Sequence, residues 1–138
     1  EHILDAIGVN AQIEIDEDDE RMTATVVGRE LGLVIGKHGQ TIDAIQYLAN
    51  AAVWRGRGDE RKAVVVDAAG YRARREATLE ALAKRSAERA ISSGQPVELD
   101  PMTAVERKVV HVALKEADGV VTRSEGTEPN RFVVIDPV

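Results

Sequence analysis

Apolar and polar positions alternate and cluster along this chain in a way that predicts its elements one by one. Ile3, Leu4 and Ile7 stand at helical spacing and predict a short first helix ending at Gly8. Val9, Ala11, Ile13 and Ile15 then alternate with polar residues, the mark of a half-buried strand, and Met22, Ala24 and Val26 form its hairpin partner. The acidic run Asp16 to Glu20 between them reads as the turn. A short apolar segment, Leu31 to Ile35, leads into Gly36-Lys37-His38-Gly39. Beyond it, Ile42, Ile45, Leu48, Ala49 and Ala52 predict one amphipathic helix to about Trp54, and Ala63 to Val66 a buried strand.

From Tyr71 to about Ser92 runs a long helix of Ala, Leu, Arg and Glu, broken at Gly94 and Pro96. Its alanines, Ala73, Ala77, Ala81, Ala83, Ala87 and Ala90, allow close packing. Val97 to Leu99 read as extended, and Thr103 with Glu106 forms a capping box for a helix from Thr103 to about Ala117. Val120-Val121 and Phe132 to Ile135 are β-rich, on either side of a turn-forming stretch, Ser124 to Asn130. The expected architecture is therefore α+β in two small units, residues 1–68 with the order αββααβ and residues 69–138, joined by the long helix.

Composition fits a soluble globular protein, with 43% hydrophobic and 30% charged residues. The absence of cysteine excludes disulfides and thiolate metal sites. No apolar run reaches the roughly 18 residues that span a bilayer, and a cytoplasmic location is the default expectation. The net charge of −6 argues against a nucleic-acid partner until its distribution is considered. Residues 1–20 hold eight acids and no Lys or Arg, whereas residues 55–75 hold seven bases against three acids. Local surface charge governs attraction to phosphate, because salt screens interactions over about 10 Å. Only four aromatic residues occur (Tyr47, Trp54, Tyr71, Phe132), too few for a binder built on rows of stacking rings.

The loop Gly36 to Gly39 carries the first candidate chemistry. A glycine-flanked loop opening a helix offers free N–H groups and the positive end of the helix dipole to an anion. Lys37 adds a charge and His38 a hydrogen bond, while a Cβ at either glycine would hold a phosphate backbone away. With αββααβ around it, the loop resembles the one by which a bacterial-type KH domain clamps about four nucleotides. The P-loop and dinucleotide glycine patterns are absent.

Val34-Ile35-Gly36-Lys37-His38-Gly39-Gln40-Thr41-Ile42-Asp43-Ala44-Ile45-Gln46-Tyr47-Leu48 resembles the KH signature of the Jag family, also called KhpB or EloR. In that family a second small domain follows, named for an arginine and a histidine separated by three residues. Arg107 and His111 supply that pair here, on one face of the predicted helix, with Val105, Val109 and Val112 turned to the presumed core. Leu99-Asp100-Pro101-Met102 and Ser124 to Arg131 resemble the stretches that flank the pair in Jag proteins. The resemblance covers roughly the whole chain and implies a type II KH domain followed by an R-three-H domain, both binding single-stranded RNA. It implies contacts at Gly36, Lys37, His38, Gly39, Gln40, Ile42, Ile45, Arg107 and His111, with Arg55, Arg57, Arg72, Arg75 and Lys108 as further phosphate contacts. The bland reading of Arg72, Arg74 and Arg75 is a solvated face paired with Glu76 and Glu80.

The same resemblance implies post-transcriptional regulation linked to cell elongation, division and the cell wall. As partners it implies a small single-KH protein or a second copy of this chain. An interaction scaffold with RNA binding secondary is the alternative reading. No cofactor, metal or catalytic residue is expected: His2 is terminal, His38 and His111 belong to the two binding motifs, and no hydrolase or zinc motif occurs. The enzymatic alternative is a magnesium-dependent nuclease built on Asp16 to Glu20. Two departures stand out. Jag proteins often carry a further N-terminal domain to which nothing here corresponds, and Phe132 stands where a basic residue is common.

Overall fold

The computed structural model describes residues 1–55 and 62–138, which form two compact units, Glu1–Ala73 and Arg74–Val138. The first contains α1 (His2–Ala6), β1 (Ala11–Glu17), β2 (Arg21–Gly28), α2 (Gly32–Ile35), α3 (Gln40–Trp54) and β3 (Ala63–Ala68). The expected αββααβ order is therefore present. β1 and β2 pair antiparallel from Ala11↔Gly28 to Glu17↔Met22, and β3 joins β2 in parallel, giving the sheet order β1-β2-β3.

One sheet face feeds the core. Val26, Val64, Val66 and Ala68 meet Leu4, Leu31, Val34 and Ile42, with Ile45, Ala49 and Val53 packed against them. Burying each such aliphatic side chain is worth about 1.5–3 kcal/mol. The α3 seat thus follows Ile42, Ile45, Ala49 and Val53, not the expected stripe through Leu48 and Ala52, both of which are exposed. At about 100° per residue Leu48 lies well round the helix from Ile42, beyond the reach of the sheet.

The hairpin turn is shorter than expected. Asp16 and Glu17 continue β1, and only residues 18–20 turn. Asp18 makes this turn, its Oδ1 accepting the N–H groups of Glu20 and Arg21 at 2.8 Å each. β3 is an edge strand with alternating burial: Val64, Val66 and Ala68 are buried, while Ala63 is exposed.

The long helix α4 (Tyr71–Ser93) has its first turn in the first unit and supplies the second with Leu79, Ala83, Ala87 and Ala90 as core. Of its six alanines singled out by the sequence, Ala83, Ala87 and Ala90 are buried, while Ala73, Ala77 and Ala81 are exposed. β4 (Val97–Glu98), α5 (Ala104–Ala113), β5 (Val120–Glu125) and β6 (Phe132–Pro137) complete the unit. Its sheet is antiparallel, order β4-β6-β5, and Val133 and Ile135 of the central strand are fully buried. β5 takes in Ser124 and Glu125, residues expected in the turn, because they pair with Val133 and Phe132.

The capping box of α5 forms as expected: Thr103 Oγ1 accepts the Glu106 N–H and Glu106 Oε2 the Thr103 N–H. The helix stops at Ala113, about a turn early. Its orientation departs from the expected one. Val105 and Val112 are 75% and 62% exposed, and only Val109 of the three valines packs against the core. The buried face carries Arg107 and Val110, with Leu114 just beyond the helix end. An arginine can turn inward here because its guanidinium finds acceptors on both sides, Met102 O and Glu128.

Candidate nucleic-acid interface

The glycine loop is held from beneath by contacts that the sequence does not announce. Gly36 ends α2 at φ 71, ψ −178, a region open essentially to glycine alone. A Cβ there would lie 2.2 Å from Thr41 Oγ1. Gly39, at φ 80, caps α3 and is buried, and its Cβ would lie 2.7 Å from Cε1 of the Tyr71 ring. Internal packing alone therefore requires glycine at both positions, a reason separate from the expected approach of a ligand. His38 itself sits in the left-handed region at φ 52, ψ 30.

This geometry turns Lys37, His38 and Gln40 outward, all exposed or half-exposed, at the first turn of α3. No side chain caps that turn, and the Gln40 N–H donates to Lys37 O, so the positive end of the helix dipole lies behind the exposed side chains. Ile42 is 0% exposed and Ile45 packs against the core. Ile42, expected as a direct contact, lies in the core beneath the loop.

The arginines divide. Arg72 is committed within the first unit: Nε donates to Val66 O at 2.8 Å, and its terminal nitrogens reach Asp43 at 2.8 Å and Gln46 at 2.9 Å. Arg75 donates to Glu106 at 2.7 Å, where both side chains are largely buried. Both guanidinium groups are engaged inside the protein, and their ion pairs are with Asp43 and Glu106 rather than with Glu76 or Glu80. Arg55 is exposed beyond the end of α3, and Arg57 lies outside the described residues.

Gln46 and Asn50, four residues apart on α3, close the outer edge of β3. Asn50 accepts the Val64 N–H and donates to Val64 O, both at 2.8 Å, and Gln46 accepts the Val66 N–H at 2.9 Å. Sequence reasoning missed this seam, whose only signal was two amides at i, i+4 on one helix face.

In the second unit Arg107 is 8% exposed. One terminal nitrogen donates to Met102 O at 2.7 Å and the other to Glu128 Oε1 at 2.6 Å, and the Glu128 side chain is 59% exposed. His111 lies against β5, Nδ1 2.7 Å from Thr122 Oγ1 and Nε2 2.8 Å from Ser124 Oγ. Burial, and then the neighbouring Arg107 charge, push its pKa below the ordinary 6.5. The pair does share a helix face as expected, but the face is inward, and the Glu128 side of the guanidinium is the one nearer solvent. Lys108 beside it is exposed.

The acidic turn is also internally engaged, since Lys62 Nζ binds Glu17 at 2.7 Å and backbone hydrogen bonds from Arg21 and Glu20 hold the Asp18 carboxyl below its ordinary pKa. Among the described residues no group of three or more His, Asp or Glu is placed to hold a metal ion. Among them, too, no helix is long and apolar enough to cross a membrane.

Comparison with known proteins agrees with this geometry. A family model described as the KhpA/KhpB KH domain matches residues 1–67, and one described as the R-three-H domain matches residues 77–137. The chain is 39% identical over 137 residues to an RNA-binding protein KhpB of Clostridium symbiosum, covering 98% of this chain and 61% of that protein. It is 40% identical over 133 residues to the RNA-binding protein KhpB of Lactiplantibacillus plantarum, covering 96% and 41%. With the Bacillus subtilis protein of the same description it shares 33% over 135 residues, covering 96% and 64%. The chain thus spans less than two thirds of the length of the curated relatives it matches.

Proposed function

This chain belongs to the KhpB family in the span it covers, a KH domain followed by an R-three-H domain, and from that premise we propose that it binds single-stranded RNA. The backbone of the RNA is gripped by Lys37, His38 and Gln40 at the start of α3, with Arg55 extending the contact. In the second unit Lys108 and the solvent edge of Arg107 take phosphate, with His111 positioning α5. The observation that carries the reading is the loop itself. Three outward polar side chains stand on a turn braced from below by Thr41 and Tyr71. The names of the relatives, all RNA-binding proteins, support the choice of ligand.

KH and R-three-H domains are not an enzyme class, and the function proposed here is binding without chemistry. The cellular role we assign is post-transcriptional regulation tied to elongation, division and the cell wall, supported by the family resemblance.

The test must leave the glycines alone. Lys37→Asp with His38→Asp reverses the charge of the loop, and Asp tolerates the left-handed conformation at position 38. Fluorescence anisotropy with a labelled single-stranded RNA dodecamer should show at least about tenfold weaker binding, on the order of 1.4 kcal/mol. Circular dichroism should be unchanged. Equal affinity in the double variant would remove the loop as the gripping site.

A second reading, pairing with a small single-KH protein or another copy, draws on α3. There Tyr47 is 74% and Leu48 53% exposed, an apolar surface the fold does not use. Sedimentation velocity should report a smaller species for Tyr47→Ser with Leu48→Ser if this surface mediates pairing. An unchanged sedimentation coefficient would rule that role out.

A further inference from the structure

The contact between Arg107 and Glu128 joins unlike environments. The arginine is among the most buried polar residues in the chain, whereas its carboxylate partner sits on the segment between β5 and β6 with most of its side chain in solvent. Met102 O takes one terminal nitrogen from inside, so the other is the one turned toward solvent, and Glu128 Oε1 stands on it at 2.6 Å. A carboxylate oxygen and a phosphate oxygen make the same charge-assisted bond to guanidinium. A phosphate oxygen cannot take the N–H that Glu128 Oε1 holds, and beside it on the same nitrogen it would meet the carboxylate's like charge.

We propose that Glu128 is an intramolecular stand-in for phosphate at Arg107, so that RNA gains this contact only by displacing Glu128, whose charge sets the affinity of the second unit. This rests on the reading that Arg107 contacts RNA. Exposure of Glu128 makes the displacement feasible, because the released carboxylate returns to water and recovers its hydration. The buried side of the guanidinium keeps its bond to Met102 O throughout, so the cation stays aimed at the surface.

Glu128→Gln keeps the size and one acceptor of the side chain and removes its charge. Glu116→Gln, an exposed acid outside the pair, is the control for a general loss of negative charge. With the labelled RNA dodecamer, Glu128→Gln should bind about three- to tenfold more tightly than the parent. Glu116→Gln should change affinity less than about twofold. The gain should vanish when Arg107→Gln is added, as the two effects share one contact.

Three other outcomes decide against the proposal in different ways. If Glu128→Gln behaves like Glu116→Gln while a folded Arg107→Gln protein binds more weakly, Arg107 touches RNA but Glu128 does not compete. If Glu128→Gln gains affinity equally with Arg107→Gln present, its charge acts elsewhere. If neither substitution alters binding, the assignment of Arg107 as a contact falls, and the proposal with it. Should Arg107→Gln fail to fold, the guanidinium NMR signals of Arg107 in the parent replace it. They should move on titration with RNA, and signals unmoved at saturating RNA would overturn the competition.

Discussion

Gly36 and His111 show how differently single residues reveal their purpose. Gly36 stands out in the sequence as half of a glycine pair, yet its reason is Thr41, five residues on, whose side chain occupies the space a Cβ would need. Gly36→Ala should therefore cost on the order of 1–3 kcal/mol from backbone conformation alone, with the Thr41 clash added. A urea midpoint equal to the parent's would contradict this. His111 is legible as half of an Arg-His pair, but its burial is not, and burial decides its charge. The folded ring gives up its proton more readily than the unfolded one, whose ordinary value is 6.5. Its contribution to stability is complete above about pH 6.5 and declines as pH falls through that value, levelling once the folded ring is protonated. Between about pH 7.5 and 5 the parent should lose more unfolding free energy than His111→Gln. A gap of equal size at both pH values would show that the ring does not titrate as described.

Elements are legible where periodicity and capping signals coincide, and misjudged where partners decide. The αββααβ order, the long α4 and the Thr103–Glu106 box are all readable, because each is a local property of the chain. The inward face of α5 is not. Three valines outweigh one arginine by hydrophobicity, but Arg107 has Met102 O and Glu128 to satisfy it, and Val105 and Val112 are left in solvent. The β3 edge is equally silent, since amides at positions 46 and 50 look like ordinary helix-surface residues. Asn50→Ala removes both bonds to Val64 and should destabilise the first unit by about 1–3 kcal/mol. Fluorescence of Trp54, whose Nε1 donates to Lys62 O at 2.8 Å, reports unfolding of this unit directly. An unshifted midpoint would mean that water replaces the amide without loss.

Across the whole molecule the net charge of −6 and the proposed RNA binding are reconciled by engagement of charges as well as their distribution. Acids in the β1–β2 turn hold Lys62 and the turn itself, and Arg72 and Arg75 are spent on structure. Among the described residues, Lys37, Arg55 and Lys108 are exposed near the two motifs, with His38 beside the first. A handful of phosphate contacts is expected from such cations. The logarithm of RNA affinity should fall with the logarithm of salt at roughly −0.7 per contact, for a total slope of about −2 to −4. A slope near zero would mean that the interface is not ionic.

By itself the sequence determined the two-unit α+β order, the position of the glycine loop at the head of α3, and the Arg-His spacing. Each depends on neighbours within a few residues, where periodicity and backbone preference act. Only the tertiary structure decided which side of α5 is buried, which arginines remain available, and why both loop glycines are needed. Those answers belong to Glu128, Asp43, Thr41 and Tyr71, partners brought close by folding, and a buried polar group is tolerated only where such partners meet it.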